Sequence, residues 1–315
     1  MMLGANLGKT IAREEETNVV NGPGWNHGYL DVNGIRVHYV RHGAGLPLVL
    51  LHGWPEFWLS WRKNIGPLSE HFDVVAPDLR GFGDTQKPGL PDPPNRLLGD
   101  LVEDLRGLAD ALDLERFGVV SHDVGAYVAQ GFAQKYPERL AGLFFFNCPY
   151  AGVGGRWAEP DHINEIWYQT FNQQPWAADL VGERRRTCET YISHFLDHWS
   201  REPGLFEEDL EAWVDNFMEP GNLQGGFNWY IATNESRIEL IRHGPPELPK
   251  IETPTRVVWG VSDSVLKVEW ADRLGDYFAD YEFTPAQGAG HFVHYERPDL
   301  ANEEITKFFR KLGER

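Results

Sequence analysis

Cysteine is nearly missing from this 315-residue chain, with Cys148 and Cys188 the two present. Two thiols so far apart in sequence make no disulfide framework and lack the spacing of a thiolate metal site. A reducing cytoplasm is therefore the expected setting. Long apolar runs are missing too: nowhere do about 18 apolar residues follow one another, the length a membrane-spanning helix needs. Met1 to Thr17 contains no apolar stretch of the kind that directs secretion. Neither membrane insertion nor export by that route is expected. Basic residues are in deficit, 29 Lys and Arg against 47 Asp and Glu, for a formal net charge of −18. The Lys and Arg clusters that polyanions require are absent, which excludes nucleic acid and anionic membranes as partners. A small neutral substrate escapes that exclusion, and a homodimer is left open.

What is present is apolar material sufficient for a substantial core, patterned in two alternating ways. Residues 1–24 are polar and Gly-rich up to Asn21-Gly-Pro-Gly24 and read as a loosely held arm. From Tyr29 to Arg41, two β-rich runs flank Asn33-Gly34, the dipeptide of a tight hairpin turn. Short continuous apolar runs follow at Leu46 to Leu51, Phe72 to Ala76, Phe117 to Val120, Leu140 to Phe146 and Arg256 to Trp259, suited to strands buried on both faces. Between them Leu97, Leu101, Leu105, Leu108 and Leu112, and then Val128, Phe132 and Tyr136, repeat at helical spacing. Strand alternating with helix predicts an α/β domain with a mostly parallel sheet flanked by helices. The rhythm breaks over residues 150–238, which hold aromatic-rich helical stretches such as Leu210, Trp213, Val214 and Phe217. An inserted helical cap is expected there, dividing the core into residues 25–149 and 239–315. Strands resume at Thr255 to Val261 and Tyr281 to Thr284, and Ile305, Phe308 and Phe309 share one face of a last helix.

The candidate nucleophile is Asp123. Phe117-Gly-Val-Val-Ser-His-Asp-Val-Gly-Ala126 reads as a buried strand, a sharp turn between small residues and a helix, the elbow that projects a nucleophile. A carboxylate is ionised at neutral pH without help, whereas a serine hydroxyl needs an adjacent base. Attack on an electrophilic sp³ carbon is the expected first step. The rival reading makes Asp123 a helix cap. Against it, Asp263 follows a strand in Gly260-Val-Ser-Asp263, and His291 lies in Gly288-Ala-Gly-His-Phe292, giving the order nucleophile, acid, histidine of an α/β-hydrolase fold. His294 competes with His291, but the Gly-rich approach favours His291, because a catalytic imidazole on a loop over the sheet edge needs backbone freedom immediately before it; His294 is expected to be partly buried packing or surface. Asp272 and Asp276 compete with Asp263, whose place directly after a strand favours it. In Leu50-Leu-His-Gly-Trp-Pro55 a strand ends in a turn, so the amides of Trp54 and of Val124 are the expected oxyanion donors. This chemistry needs no cofactor and no metal.

The residues from about Tyr29 to Phe309 resemble the epoxide-hydrolase branch of the α/β-hydrolase superfamily. His52-Gly-Trp-Pro-Glu-Phe-Trp58, Ala76-Pro-Asp-Leu-Arg-Gly-Phe-Gly-Asp84 and His122-Asp-Val-Gly125 look like that branch but are partly shared with dehalogenases. Ile166-Trp-Tyr168, Tyr191-Ile-Ser-His-Phe-Leu-Asp-His-Trp199 and Gly225-Gly-Phe-Asn-Trp-Tyr230 are similar in detail to bacterial soluble epoxide hydrolases. The resemblance implies an epoxide as the small-molecule substrate and a diol as product. It also implies two cap tyrosines, Tyr168 and Tyr230, that donate hydrogen bonds to the epoxide oxygen, and a cis Trp54–Pro55 bond. Ser121 departs from the glycine usual at the first small position, and Trp229 stands where a second tyrosine is common. Dehalogenation by the same three groups remains the alternative, although Val124, Ala126, Tyr127 and Trp54 occupy the places where such enzymes hold a carboxylate or a halide. A silent ligand-binding member of the fold is a third reading.

Overall fold

A computed structural model describes residues 25–313; the expected arm, 1–24, lies outside the described residues. Asn33 and Gly34 both take positive φ, 47° and 76°, and turn the chain from β1 (Asn26–Val32) into β2 (Ile35–Gly43), as an Asn-Gly turn demands. The apolar runs become β3 (Leu46–Leu51), β4 (Phe72–Pro77), β5 (Phe117–His122), β6 (Leu140–Phe146), β7 (Thr255–Gly260) and β8 (Tyr281–Ala286). Every residue of β4, β5, β6 and β7 is buried, which is why these strands read as unbroken apolar runs. In β8 the exposed side chains mark the sheet edge.

The eight strands form one sheet in the order β1-β2-β4-β3-β5-β6-β7-β8. The pairs β1 with β2 and β2 with β4 are antiparallel, and all the others are parallel. Two helix pairs flank it, Arg62–Ser69 against Pro298–Gly313 and Leu97–Ala111 against Val124–Lys135. From β3 the chain moves to β4 on one side, then returns to β5 on the other, so the connections leave β3 and β5 in opposite directions. A crevice opens beyond the carboxyl ends of two such strands. Trp54 follows β3 and Asp123 follows β5, one on each lip of that crevice.

Between β6 and β7 the chain makes a long excursion through helices Trp167–Phe171, Ala177–Gly182, Arg185–His198, Leu210–Met218 and Asn222–His243. The last of these continues past residue 238 to His243, because Ile238, Leu240 and Ile241 sustain the helical pattern until Gly244 takes φ 75° and stops it. Its first turns seat on the sheet domain: Gly225 meets Gly81 so closely that an added Cβ would lie 1.9 Å from the Gly81 carbonyl oxygen. That contact fixes where Tyr230 enters the crevice. No described helix is long and apolar enough to cross a membrane.

Candidate active site

Asp123 sits at φ 45° and ψ −114°, a backbone state that costs a non-glycine residue of order 1–3 kcal/mol and persists only where the surroundings enforce it. The enforcement is visible. Gly125 N–H donates to the His52 carbonyl at 3.0 Å, and Ala126 N–H to the Asp123 carbonyl at 2.9 Å. Ser121 is accommodated, fully buried with its hydroxyl 3.5 Å from the Phe144 carbonyl oxygen. The Asp123 side chain makes no capping bond to the helix that follows. Instead the Trp54 amide donates to its Oδ1 at 3.0 Å, and the Trp54–Pro55 bond is cis. The amide of Val124 opens the helix beside it, where an N–H has no intrahelical acceptor.

His291 and Asp263 come from the ends of β8 and β7 and meet in a fully buried pair, Nδ1 lying 2.9 Å from Oδ2. Asp263 is held by the amides of Val265 and Leu266, each 2.9 Å from Oδ1, and by Asn147 Nδ2, which donates to Oδ2. The other ring nitrogen of His291, Nε2, is buried without a hydrogen-bond partner among the described residues. Burial opposes charge on this imidazole, yet the Asp263 carboxylate, with smaller help from Asp123 and Glu56, raises it to about 9. Asp272 and Asp276 lie elsewhere, paired with Arg156 and Arg273.

His294 is not the surface or partly buried residue its sequence context suggests. It is fully buried, its Nε2 3.0 Å from Glu56 Oε1 but out of line for a good hydrogen bond, and burial pulls it down to about 4. Glu56 is the hub missed in the sequence. Its Oε2 accepts from the Gly53 amide at 2.6 Å and lies 2.7 Å from His122 Nδ1, while His122 Nε2 donates to the His291 carbonyl at 2.9 Å. Burial disfavours the Glu56 anion, but His122 beside it holds the carboxyl well below its ordinary range. Glu56, His122 and His294 have the residue types of a metal site. Both His122 nitrogens and one Glu56 oxygen are already committed to bracing the His52–Trp54 turn against the His291 loop.

Tyr168 and Tyr230 line, with Asp123, a cavity of about 160 Å³ whose walls include Tyr127, Trp157 and Trp229. The Trp54 indole organises them: it stacks on Tyr168 at 5.3 Å and 3° and meets Tyr230 edge-on at 5.4 Å and 89°. Gln169 Nε2 donates to the Tyr168 oxygen at 3.3 Å, which leaves the phenol hydrogen unspent. The Tyr230 hydroxyl has no partner among the described residues. Burial, and then the Asp123 charge, push Tyr168 far above a phenol's ordinary range; burial, Tyr168 and Asp123 do the same to Tyr230. Both O–H groups stay protonated.

The sequence pattern of the α/β-hydrolase fold family matches residues 47–298. Human epoxide hydrolase 4 is 31% identical over 311 residues, covering 95% of this chain and 83% of that protein. The soluble epoxide hydrolase of a Corynebacterium species is 32% identical over 294 residues, covering 89% of this chain and 96% of its own length. Among solved structures, epoxide hydrolase CorEH without ligand superposes with a TM-score of 0.77 at 30% identity, over 91% of this chain and 99% of that one. The sheet with its strand order, the strained Asp123 turn and these relatives converge: the chain belongs to the epoxide-hydrolase branch of the α/β-hydrolase superfamily.

Proposed function

We propose that the chain hydrolyses an epoxide to a vicinal diol in two steps, through an ester on Asp123. Oδ1 of Asp123 already accepts the Trp54 amide, so Oδ2 is the attacking atom. It forms a bond to an epoxide carbon while the ring C–O bond breaks, and Tyr168 or Tyr230 gives its proton to the departing oxygen. His291 then takes a proton from water through Nε2, and the hydroxide attacks Cγ of the ester. Charge develops on Oδ1, where the Trp54 and Val124 amides receive it. Collapse breaks the Cγ–O bond to the substrate, the added hydroxyl passes its proton to the leaving oxygen so that the diol departs and the Asp123 carboxylate is restored, and the proton on His291 returns to the phenolate. Asp263 keeps the His291 tautomer and stabilises the imidazolium. The observation that supports this most is one carboxylate and two protonated phenols lining one cavity. A departing halide needs no proton, so the phenols suit an alkoxide better.

Incubation with a panel of terminal and internal epoxides, read as diol, and a parallel panel of haloalkanes and haloacids, read as free halide, tests the reading. Diol formation is expected. Halide release without any diol would replace it with dehalogenation, and silence in both panels would leave a binding protein.

The same scheme sets a pH dependence. In the resting site the Asp123 charge helps hold His291 protonated, at about 9. Alkylation turns Asp123 into a neutral ester and removes that support, so the imidazole of the intermediate titrates lower than in the resting site, while Asp263 still raises it. Single-turnover rates of ester hydrolysis should therefore rise with pH through a midpoint below 9 and then level off. A hydrolysis rate that falls as pH rises through that window would contradict His291 as the base.

A further inference from the structure

Among the described residues that line the cavity, Asp123 is the one acidic group and Arg237 the one basic group. Arg237 stands seven residues after Tyr230 on the helix Asn222–His243, two turns on and therefore on the same face, with its Cα about 10 Å farther along the axis. Its surroundings are unusual for a half-buried arginine. Nη1 donates to Gln169 Oε1 and Nη2 donates to Asn234 Oδ1 at 2.7 Å, both oxygens of neutral amides. No described carboxylate pairs with it. Two of its five N–H groups are thus committed, and the positive charge itself is uncompensated. Burial pulls the guanidinium down from its ordinary value, a cost that a bound anion would offset. The amide pair also fixes the side chain: Gln169 holds Arg237 through its oxygen and the Tyr168 hydroxyl through its nitrogen, so the cation and the phenol are kept in fixed relation across the pocket. Trp157, Trp229, Leu240 and Leu266 give the lining an apolar surface, beside the neutral polar side chains of Asn95, Thr233 and Ser236.

We propose that Arg237 anchors a carboxylate on the substrate, so that the preferred substrates are epoxides carrying a carboxylate several bonds from the ring. The epoxide then lies against Asp123 and the two phenols, its chain follows the apolar wall, and its far end meets the guanidinium in a two-pronged, charge-assisted contact. The chain's overall negative charge does not oppose this, because at physiological salt distant surface charges are screened over about 8 Å and the local cation dominates inside the cavity. This substrate class rests on epoxide hydrolysis at the same site, and two separate measurements keep the two claims apart.

The first compares terminal epoxides of heptanoate, nonanoate and undecanoate with their methyl esters. At the fitting length the acid should exceed its ester by about 10- to 100-fold in kcat/KM, the range of a charge-assisted hydrogen bond. Arg237→Met should bring that ratio near one, and Arg237→Lys should keep much of it. Turnover of the esters reports that each variant is folded. The second uses no chemistry: nonanoate should raise the melting temperature of the wild-type protein more than nonanamide does, and Arg237→Met should erase the difference. An acid-to-ester ratio near one at every length, a ratio that survives Arg237→Met, or an equal loss on acids and esters would overturn the anchor, the last pointing to a role in tuning the phenols. If no epoxide is turned over but nonanoate still binds through Arg237, the hydrolase reading falls and the anchor stands. If epoxides are turned over and nonanoate stabilises no better than its amide, the anchor falls and the hydrolase reading stands.

Discussion

Replacing His291 with glutamine is expected to stop diol release while leaving the first step running, so that epoxide accumulates as a covalent adduct on the peptide carrying Asp123. The two halves of the reaction ask different things of the site. Attack by a carboxylate needs no base, and Asp123 Oδ2 is the oxygen not engaged by the Trp54 amide. Hydrolysis of the ester needs a group that removes a proton from water, and Nε2 of His291 is buried with no hydrogen-bond partner among the described residues while Nδ1 is engaged by Asp263. Glutamine approximates the volume of imidazole but accepts no proton. General-base catalysis contributes about 10²–10⁴ in rate, so turnover should fall within that range, while the alkylation rate changes far less. Intact-protein mass spectrometry after mixing with a turned-over epoxide should give the protein mass plus that of the whole epoxide, and peptide mapping should locate it on Asp123. A variant that carries no adduct, or carries it elsewhere, would overturn the covalent route in favour of direct attack by water.

The parts of this site that are legible in the sequence are those set by local backbone chemistry. The run from Phe117 to Ala126 encodes a buried strand, a tight turn and a helix start within ten neighbouring residues, so Asp123 at the turn stands out. The strands are equally plain, because a sheet covered on both faces writes itself as unbroken apolar runs. His291 is singled out by the glycines before it, and Gly290 shows what that position requires. Gly290 lies where an added Cβ would come within 2.4 Å of the Trp199 carbonyl oxygen, and the His291 amide donates to that same carbonyl at 2.8 Å. The glycine admits a close pass between the His291 loop and the end of the helix Arg185–His198, and so pins the loop.

What stays hidden is whatever depends on partners far away in the chain. Asn147 looks like a turn residue in Asn-Cys-Pro, yet it donates to Asp263, 116 residues on, and to the Gly290 carbonyl at 3.2 Å. Glu56 sits in plain view within His52-Gly-Trp-Pro-Glu, but its partners His122 and His294 reach it only through the sheet. His294 is misjudged for the same reason: nothing local says that it will be packed 4.2 Å from the Trp61 ring in a fully buried cluster. Periodicity reports which face is apolar, and is silent on which polar group will answer another across a crevice. Arg237 belongs to this class as well, since an arginine on a helix reads as a solvated face until Gln169 and the cavity come into view.

Exchanging both Tyr168 and Tyr230 for phenylalanine is expected to nearly abolish ring opening. Each exchange removes one hydroxyl and keeps the ring, so the stack on Trp54 and the edge-on contact between the two tyrosines at 5.5 Å are preserved. The effect is therefore chemical. Opening the ring leaves negative charge on oxygen, and a donor already aimed at that charge lowers the barrier by about 2.7–4 kcal/mol, equivalent to 10²–10³ in rate. Neither phenol spends its own hydrogen on the protein: Tyr168 receives a bond from Gln169, and Tyr230 has no partner among the described residues. Because burial and the Asp123 charge keep both far above the usual phenol range, each retains its proton until the alkoxide demands it. A single exchange leaves one donor facing the oxygen and should be milder than the double. The rate to follow is adduct formation in a single turnover, ideally in the His291→Gln background, where hydrolysis no longer drains the ester. If the double variant alkylates Asp123 as fast as its parent, the two tyrosines are packing residues and the departing oxygen draws its proton from elsewhere. If alkylation collapses while the protein keeps its melting temperature, the hydroxyls themselves carry the step.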